Sequence, residues 1–286
     1  MAFAYEPYGH SKDRTLYQEL LMKKTLVALS LAAMTLPALA QDKKAPEPDY
    51  TITGNFGLFS DYRFRGISQT DLKPALQGGF DYAHKSGFYL GTWGSNVGAY
   101  TSFDGAGLEI DFYGGYKFSL GDVGLDFGNL YYYYPGTSLN SGFASGYKAN
   151  TNEIYVGVSY GAVTFKTSYA TTRYFGTSVD TKGTLYYDLS AAYPLSDGWG
   201  FRAHIGLLKL GKKLAAAGNA TSAFDSGVDY KVGITKDLNG FILALDYVGN
   251  SGDWGKSFET YDTSSNSTNS RDLSKGAAVI SLTKTF

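Results

Sequence analysis

The sequence contains no cysteine, which removes disulfides, thiolate metal centres and cysteine nucleophiles together. It has no surplus of either charge: 25 Lys and Arg stand against 26 Asp and Glu, a formal net charge of −1. No basic patch is interleaved with aromatics, so no nucleic-acid partner is expected. After residue 40 no apolar run approaches the roughly 20 residues that a membrane-spanning helix needs. What is abundant is glycine (36), tyrosine (25) and phenylalanine (18), with aromatics making up 16% of the chain. Soluble sandwiches rarely carry so many, whereas transmembrane barrels place aromatics in girdles at both interfaces.

The residues 51–65, TITGNFGLFSDYRFR, show the pattern that organises the rest. Ile52, Phe56, Leu58, Tyr62 and Phe64 alternate with Thr51, Thr53, Asn55, Asp61, Arg63 and Arg65. A period of two marks a strand with unlike environments on its two faces. The run is long enough to cross a bilayer, which takes about 9–11 tilted residues. The alternation recurs at 76–83, 88–95, 108–118, 123–134, 153–160, 163–168, 184–193, 199–207, 228–235, 241–247 and 277–286, making twelve candidate strands. Short connections (84–87, 120–122, 161, 194–198, 237–240) alternate with long ones (66–74, 96–106, 135–152, 175–183, 210–226, 249–275). The fold class expected is all-β: a transmembrane antiparallel up-and-down barrel of about twelve strands, with short periplasmic turns and long extracellular loops. In hydrocarbon only helices or closed barrels satisfy their own backbone groups, so a membrane fate leaves the barrel.

The N-terminus carries an export address. Met22-Lys23-Lys24 is a basic n-region, 25–36 an apolar stretch, and Ala38-Leu39-Ala40 an A-x-A cleavage site. The domain expectation is therefore 1–21 as an upstream extension outside the native protein, 22–40 as a cleaved signal peptide, 41–50 as a periplasmic lead-in and 51–286 as the barrel. The expected location is the outer membrane, reached with the help of the outer-membrane assembly machinery. Phe286 suits that machinery, while Lys284 departs from the apolar residue usual two positions before the end.

The segment 61–82, DYRFRGISQTDLKPALQGGFDY, with GFYLGTWGSNV (87–97) and LEIDFYGGY (108–116), resembles the TorF family of porin-like bacterial outer-membrane proteins. The resemblance covers essentially the whole chain after the signal peptide and is strongest over its first third. It implies an outer-membrane location and a pore. It brings no substrate and no catalytic residues.

Catalytic chemistry finds little support. His84 lies in an expected turn without an obvious partner, and His204 has lumen parity, the wrong face for a lipid-cleaving triad. The run GLLKLGKK (206–213) imitates a phosphate loop but has Lys213 where Ser or Thr is required and no helix after it. Asp253, Glu259, Asp262 and Asp272 are too irregularly spaced for a calcium loop. No enzyme activity, cofactor or metal is expected.

By parity the lumen should receive Asp61, Arg63, Arg65, Asp81, Glu109, Asp111, Lys117, Asp126, Glu153, Lys166, Asp188, Arg202, His204, Asp229, Lys231 and Asp246. Charges in a barrel line water or pair with one another. The first reading is a narrow channel for passive diffusion of small hydrophilic solutes, with a mild acidic excess favouring cations or zwitterions. The alternative is a non-conducting barrel whose extracellular loops, above all 249–275, bind a surface partner. Small lumen residues (Gly79, Ser159, Ser168, Ala170, Ser190, Gly206, Gly233, Ala244) tilt the expectation toward open space. Phe56, Leu58, Tyr62 and Phe64 should meet lipid. Arg63 and Arg65 form either a charged lip at the pore entrance or a clamp on the first hairpin.

Overall fold

The computed structural model describes residues 48–98, 107–136, 148–177, 179–214, 224–251, 259–260 and 271–286. The expected extension, signal peptide and most of the lead-in lie outside these residues, as do the side chains of Asp253, Glu259 and Asp262.

Twelve antiparallel strands close into a barrel. They are β1 (Tyr50–Phe59), β4 (Ala75–His84), β5 (Phe88–Asn96), β6 (Leu108–Leu120), β7 (Val123–Tyr133), β8 (Thr151–Tyr160), β9 (Val163–Ala170), β10 (Leu185–Pro194), β11 (Trp199–Leu214), β12 (Phe224–Leu238), β13 (Phe241–Ser251) and β16 (Ala277–Thr285). Each pairs with its neighbours in sequence, and β1 pairs with β16 to close the ring. Two small hairpins stand apart from the barrel ladder: β2 (Arg63–Phe64) with β3 (Ile67–Ser68), and β14 (Glu259–Thr260) with β15 (Arg271–Asp272).

All short connections lie at one end of the barrel, the turn end, and all long ones at the other, the loop end. The turns use the backbone chemistry their length demands. Asn239 and Gly240, between β12 and β13, both have positive φ (58° and 84°), the geometry that a two-residue hairpin requires to match strand twist. GLLKLGKK lies within strand β11, whose pairing with β12 shifts register between Lys209 and Leu214, so its likeness to a phosphate loop ends at composition. The 210–226 connection is shorter than expected, because β11 runs on to Leu214 and β12 starts at Phe224.

Burial follows the alternation. Large apolar side chains point outward and are exposed around the ring, among them Ile52 (65%), Phe80 (66%), Phe112, Val156, Ile205, Leu245 and Ile280. The alternate parity faces inward. In the loop-end half, inward positions on every strand are buried: Gly57, Gln77, Ser95, Glu109, Tyr132, Glu153, Ser168, Tyr186, Leu208, Asp229, Asp246 and Ser281. In the turn-end half most are open to solvent: Thr51, Lys117, Ser119, Thr164 and Ala192 are exposed, and Asp126, Lys166, Arg202 and Lys231 half-exposed. The interior is thus packed at the loop end and wet at the turn end.

Candidate pore interior and its inward hairpin

The packing at the loop end comes from the chain itself. The expected strand 51–65 stops at Phe59. Asp61 turns the chain inward by accepting hydrogen bonds from the hydroxyls of Ser68 (2.6 Å) and Thr70 (3.1 Å) and pairing with Arg63 Nε at 2.5 Å. The β2–β3 hairpin then lies inside the lumen. Its two-residue turn is Arg65-Gly66, with φ of 49° and 81°. Gly66 fits a left-handed position freely; Arg65 does so against a steric penalty.

The hairpin reaches the wall in several directions. Tyr62 donates its hydroxyl to Glu109 on β6 (3.0 Å) and meets Trp93 on β5 edge-on, with ring centroids 5.5 Å apart. Phe64 packs edge-on against Tyr132 and Phe175. Arg65 Nη2 donates to both carboxylate oxygens of Glu153 on β8 (2.9 and 3.0 Å), while Nη1 donates to the Tyr174 hydroxyl at 2.7 Å. The guanidinium also lies 4.0 Å from the centre of the Tyr186 ring on β10. Gly66 approaches β12 and β13 so closely that an added Cβ would stand 2.9 Å from Asn250 Cβ and 3.0 Å from that of Asp229. Arg63 Nη1 donates to the carbonyls of Leu273 and Lys275 (both 3.0 Å), and Ser68 N to that of Leu273 (2.9 Å). Ile67 completes an apolar cluster with Ala170, Tyr174, Tyr186, Leu208, Leu210 and Leu273.

Several expectations change here. Asp61, Arg63 and Arg65 belong to the inward segment and not to a strand of the wall. Tyr62 and Phe64 do not meet lipid, because the chain leaves the ladder before them and carries both rings inside. The two arginines form no lip; they fasten the hairpin. Nor do most of the small inward residues leave open space, although Ser159 and Ser190 are half-exposed in the wet half. The Tyr186 hydroxyl fills the position beside Gly206, Asp246 fills that beside Gly233, and Ser168 and Ala170 are buried at the packed end. Gly206 and Gly233 receive a neighbour's side chain and Gly79 meets the backbone of Thr92 and Trp93, which is why their missing volume is not void.

Buried carboxylates gather under the hairpin. Glu109, 1% exposed, accepts from Tyr62 and from the Tyr134 hydroxyl at 2.8 Å. Tyr62 and Tyr134 lie beyond the ends of their strands. Burial, then the Glu109 charge, pushes both phenols well above their ordinary range, so they remain neutral donors. Asp111 is buried beside them, and its Oδ1 has no hydrogen-bond partner.

Toward the turn end, the remaining inward charges form networks that water reaches. Asp81 accepts from Tyr113 (2.6 Å) and Asn55 (3.3 Å). Asp126 accepts from Tyr89 (2.7 Å) and faces Lys117 at 3.7 Å, with the Lys117 side chain 44% exposed. Arg202 pairs with Asp246 on β13. His204 sits between Asp188 (Nδ1, 2.7 Å) and Asp229 (Nε2, 2.7 Å), with Tyr186 the remaining partner of Nε2 at 3.2 Å. Ser190 stands opposite His204 across the β10–β11 ladder, and both ring nitrogens of His204 face carboxylates. Lys166 lies over the Tyr155 ring at 5.4 Å. Lys231 is half-buried between Arg202, a like charge, and the opposite charges of Asp246, Asp188 and Asp229. Parity identified these residues and put Tyr113, Tyr155 and Tyr186 on the same face; that these tyrosines, with Tyr89, join the charges into networks was not legible. Elsewhere, Asp272 Oδ1 accepts from the backbone and hydroxyl of Ser274, and His84 bonds Ser86 at 2.8 Å in its turn.

A family model described as "Bacterial protein of unknown function (Gcw_chp)" matches residues 43–286. The chain belongs to the Gcw_chp family. The match contains every strand of the barrel and the whole inward hairpin. No curated protein matches the Gcw_chp chain in sequence. Among solved structures it is similar to the KdgM porin (8% identity, TM-score 0.45, covering 82% of this chain and 98% of that one). It is also similar to the NanC porin (9%, 0.46, 82% and 99%) and to the Salmonella typhi OmpF complex with daunomycin (12%, 0.39, 83% and 97%).

Proposed function

We propose that this barrel spans the outer membrane and serves as a narrow channel for passive diffusion of small hydrophilic solutes. The observation that carries the reading is the contrast between the two faces of one closed sheet. The exterior is an apolar belt suited to lipid, and the turn-end interior is a wet cup of charged and hydroxyl side chains. A soluble protein has no use for that inversion, since it would expose its apolar face to water. The turn end then faces the periplasm and the loop end the exterior, in keeping with the short turns and long loops. The TorF resemblance points the same way. Insertion would rely on the outer-membrane assembly machinery, and no catalytic step belongs to the reading.

The residues assigned to the solute path are Asp81, Lys117, Asp126, Lys166, Asp188, Arg202, His204 and Lys231. Glu109, Asp111, Glu153, Asp229 and Asp246 stand at the packed level, where the hairpin with Asp61, Arg63 and Arg65 fills the passage. Selectivity comes from width and charge pattern. Planar-bilayer recording of the purified protein in several salts tests this: conductance steps with a salt-dependent reversal potential are expected, and their absence at any protein concentration would overturn the reading.

The dense packing of the hairpin favours a second reading, a barrel that does not conduct and acts through its external loops. Excising the 249–275 loop should then abolish binding to a surface partner while leaving assembly intact. In the channel reading the same excision alters conductance only.

A further inference from the structure

The channel reading leaves one feature to be accounted for. Inward residues on all twelve strands are buried at the loop end, so in this conformation the wet cup has no continuation to the far side at that level. The obstruction is a single local segment, 62–70, together with what it touches. It contributes nothing to the barrel ladder. β1 and β4 pair without a break from Tyr50↔His84 to Phe59↔Ala75, and β1 closes onto β16. The hairpin's own backbone bonds run within the segment and to other connections: Gln69 N to Tyr62 O, Ser68 N to Leu273 O, and Gly98 N to Gln69 O. It can therefore leave the lumen without breaking one inter-strand bond of the barrel.

Its attachment is polar and concentrated. Arg65 is 8% exposed and joins the hairpin to β8 through Glu153 and to the 171–184 connection through Tyr174, with Tyr186 against its face. The backbone at the apex and root is strained: Arg65, Asp71 and Leu72 all have positive φ, at 49°, 56° and 61°. Non-glycine residues held in that region mark segments whose conformation is imposed by their surroundings, and they cluster at switches and clamps. A strained segment that is independent of the ladder and held by side-chain contacts, with the Arg65–Glu153 ion pair at its apex, has the construction of a closure and not of a wall.

We infer that the 62–70 hairpin is the closure of the channel, held shut by Arg65, and that passage requires its withdrawal from the lumen. This rests on the channel reading above and adds to it a resting state and the residue that sets it. Arg65 is here a positioning residue. It governs how often the path is open and does not line the open path. Replacing it changes open probability and leaves the size of each conductance step alone, whereas a pore-lining charge changes the step size and ion preference.

The test uses single-channel recording of the full-length protein with three variants. Arg65→Ala should raise the open fraction by roughly tenfold or more, since it leaves Glu153 buried without its cation. Arg65→Lys, which keeps the charge but loses the planar group, should fall between the two. The third variant places Ser68→Cys and Leu273→Cys, positions joined by a 2.9 Å backbone bond, in a chain with no other cysteine. Oxidised, it should be silent; reduced, it should open like the parent. An excision of 62–70 bridged by a short Gly-Ser linker gives the fully open limit. Equal open fractions in all variants, with the excised form no different from the parent, overturn the closure and leave the channel standing. Silence of every variant, including a correctly folded excised barrel, overturns the channel and the closure with it.

Discussion

Arg65 Nη2 stands 2.9 Å from Glu153 Oε2 across the interior of the barrel, although the two residues lie 88 positions apart. Both side chains are buried, at 5% and 2% exposure. A buried pair of this kind adds little over an apolar pair of the same shape, but removing one partner leaves the other charge stranded. Glu153→Ala or Arg65→Ala should therefore each lower folding stability by about 3–5 kcal/mol. The double variant should lose clearly less than the sum. Urea titration of the protein refolded into lipid vesicles measures the coupling; strict additivity would show that the two do not act as a pair.

Gly66 makes a second prediction, independent of charge. Its φ is 81°, and a methyl group there would press on Asn250 and Asp229. Gly66→Ala should cost about 1–3 kcal/mol through strain and overpacking. Gly121, also at positive φ (61°) but with nothing within 4 Å, should lose about 1 kcal/mol from backbone strain alone. A ranking with Gly121→Ala the more damaging would contradict the hairpin's seating.

The lipid belt predicts a contrast between the faces of one strand. Leu245→Arg, outward on β13, should destabilise the inserted barrel by about 2–4 kcal/mol if it lies near the bilayer midplane. Ser190→Arg, inward on β10 in the wet half, should leave insertion nearly unchanged. Folding yield into vesicles reads both. Similar penalties for the two would remove the case for a membrane-facing exterior.

Asp111 predicts a gain. Its Oδ1 is buried and partnerless, next to Glu109 and with no ion pair of its own among the described residues. Asp111→Asn keeps the shape of this buried group and removes its capacity to ionise beside Glu109 and Glu153, so the variant should be as stable as the parent at neutral pH and more stable, by roughly 1 kcal/mol or more, in alkaline solution. A loss of that size in the same vesicle titration would show that the charge is compensated.

For the solute path, Lys117→Gln should shift the reversal potential toward cations and Asp126→Asn toward anions, because both groups are in water and only 3.7 Å separates them. Bi-ionic recordings decide this. Charges this exposed act on ions through the field they set and add little to stability.

Most of the barrel was legible because its two faces differ in chemistry at every strand. A period of two, repeated through runs such as 153–160 and 228–235, fixes both the strands and their parity. The inward charges from Asp81 to Asp246 follow from parity alone. The hairpin was not legible, because the alternation continues unbroken through Ser60, Asp61 and Tyr62 while the chain leaves the sheet. Alternation reports two environments and does not distinguish lipid and lumen from the two sides of a ribbon enclosed in the lumen. The signals that would have served are local: Arg65-Gly66 as a tight-turn pair, and Asp61, Ser68 and Thr70 as polar groups spaced to bond one another.

The fastening of Arg63 to the carbonyls of Leu273 and Lys275 has a consequence for biogenesis. Those acceptors belong to the stretch immediately before the final strand. The seat of a segment made early in synthesis is therefore unfinished until the C-terminal end of the chain has arrived and the ring has closed. The contacts to Glu109 and Glu153 involve strands made earlier, so the Arg63 anchor is the last of the hairpin's attachments that synthesis supplies.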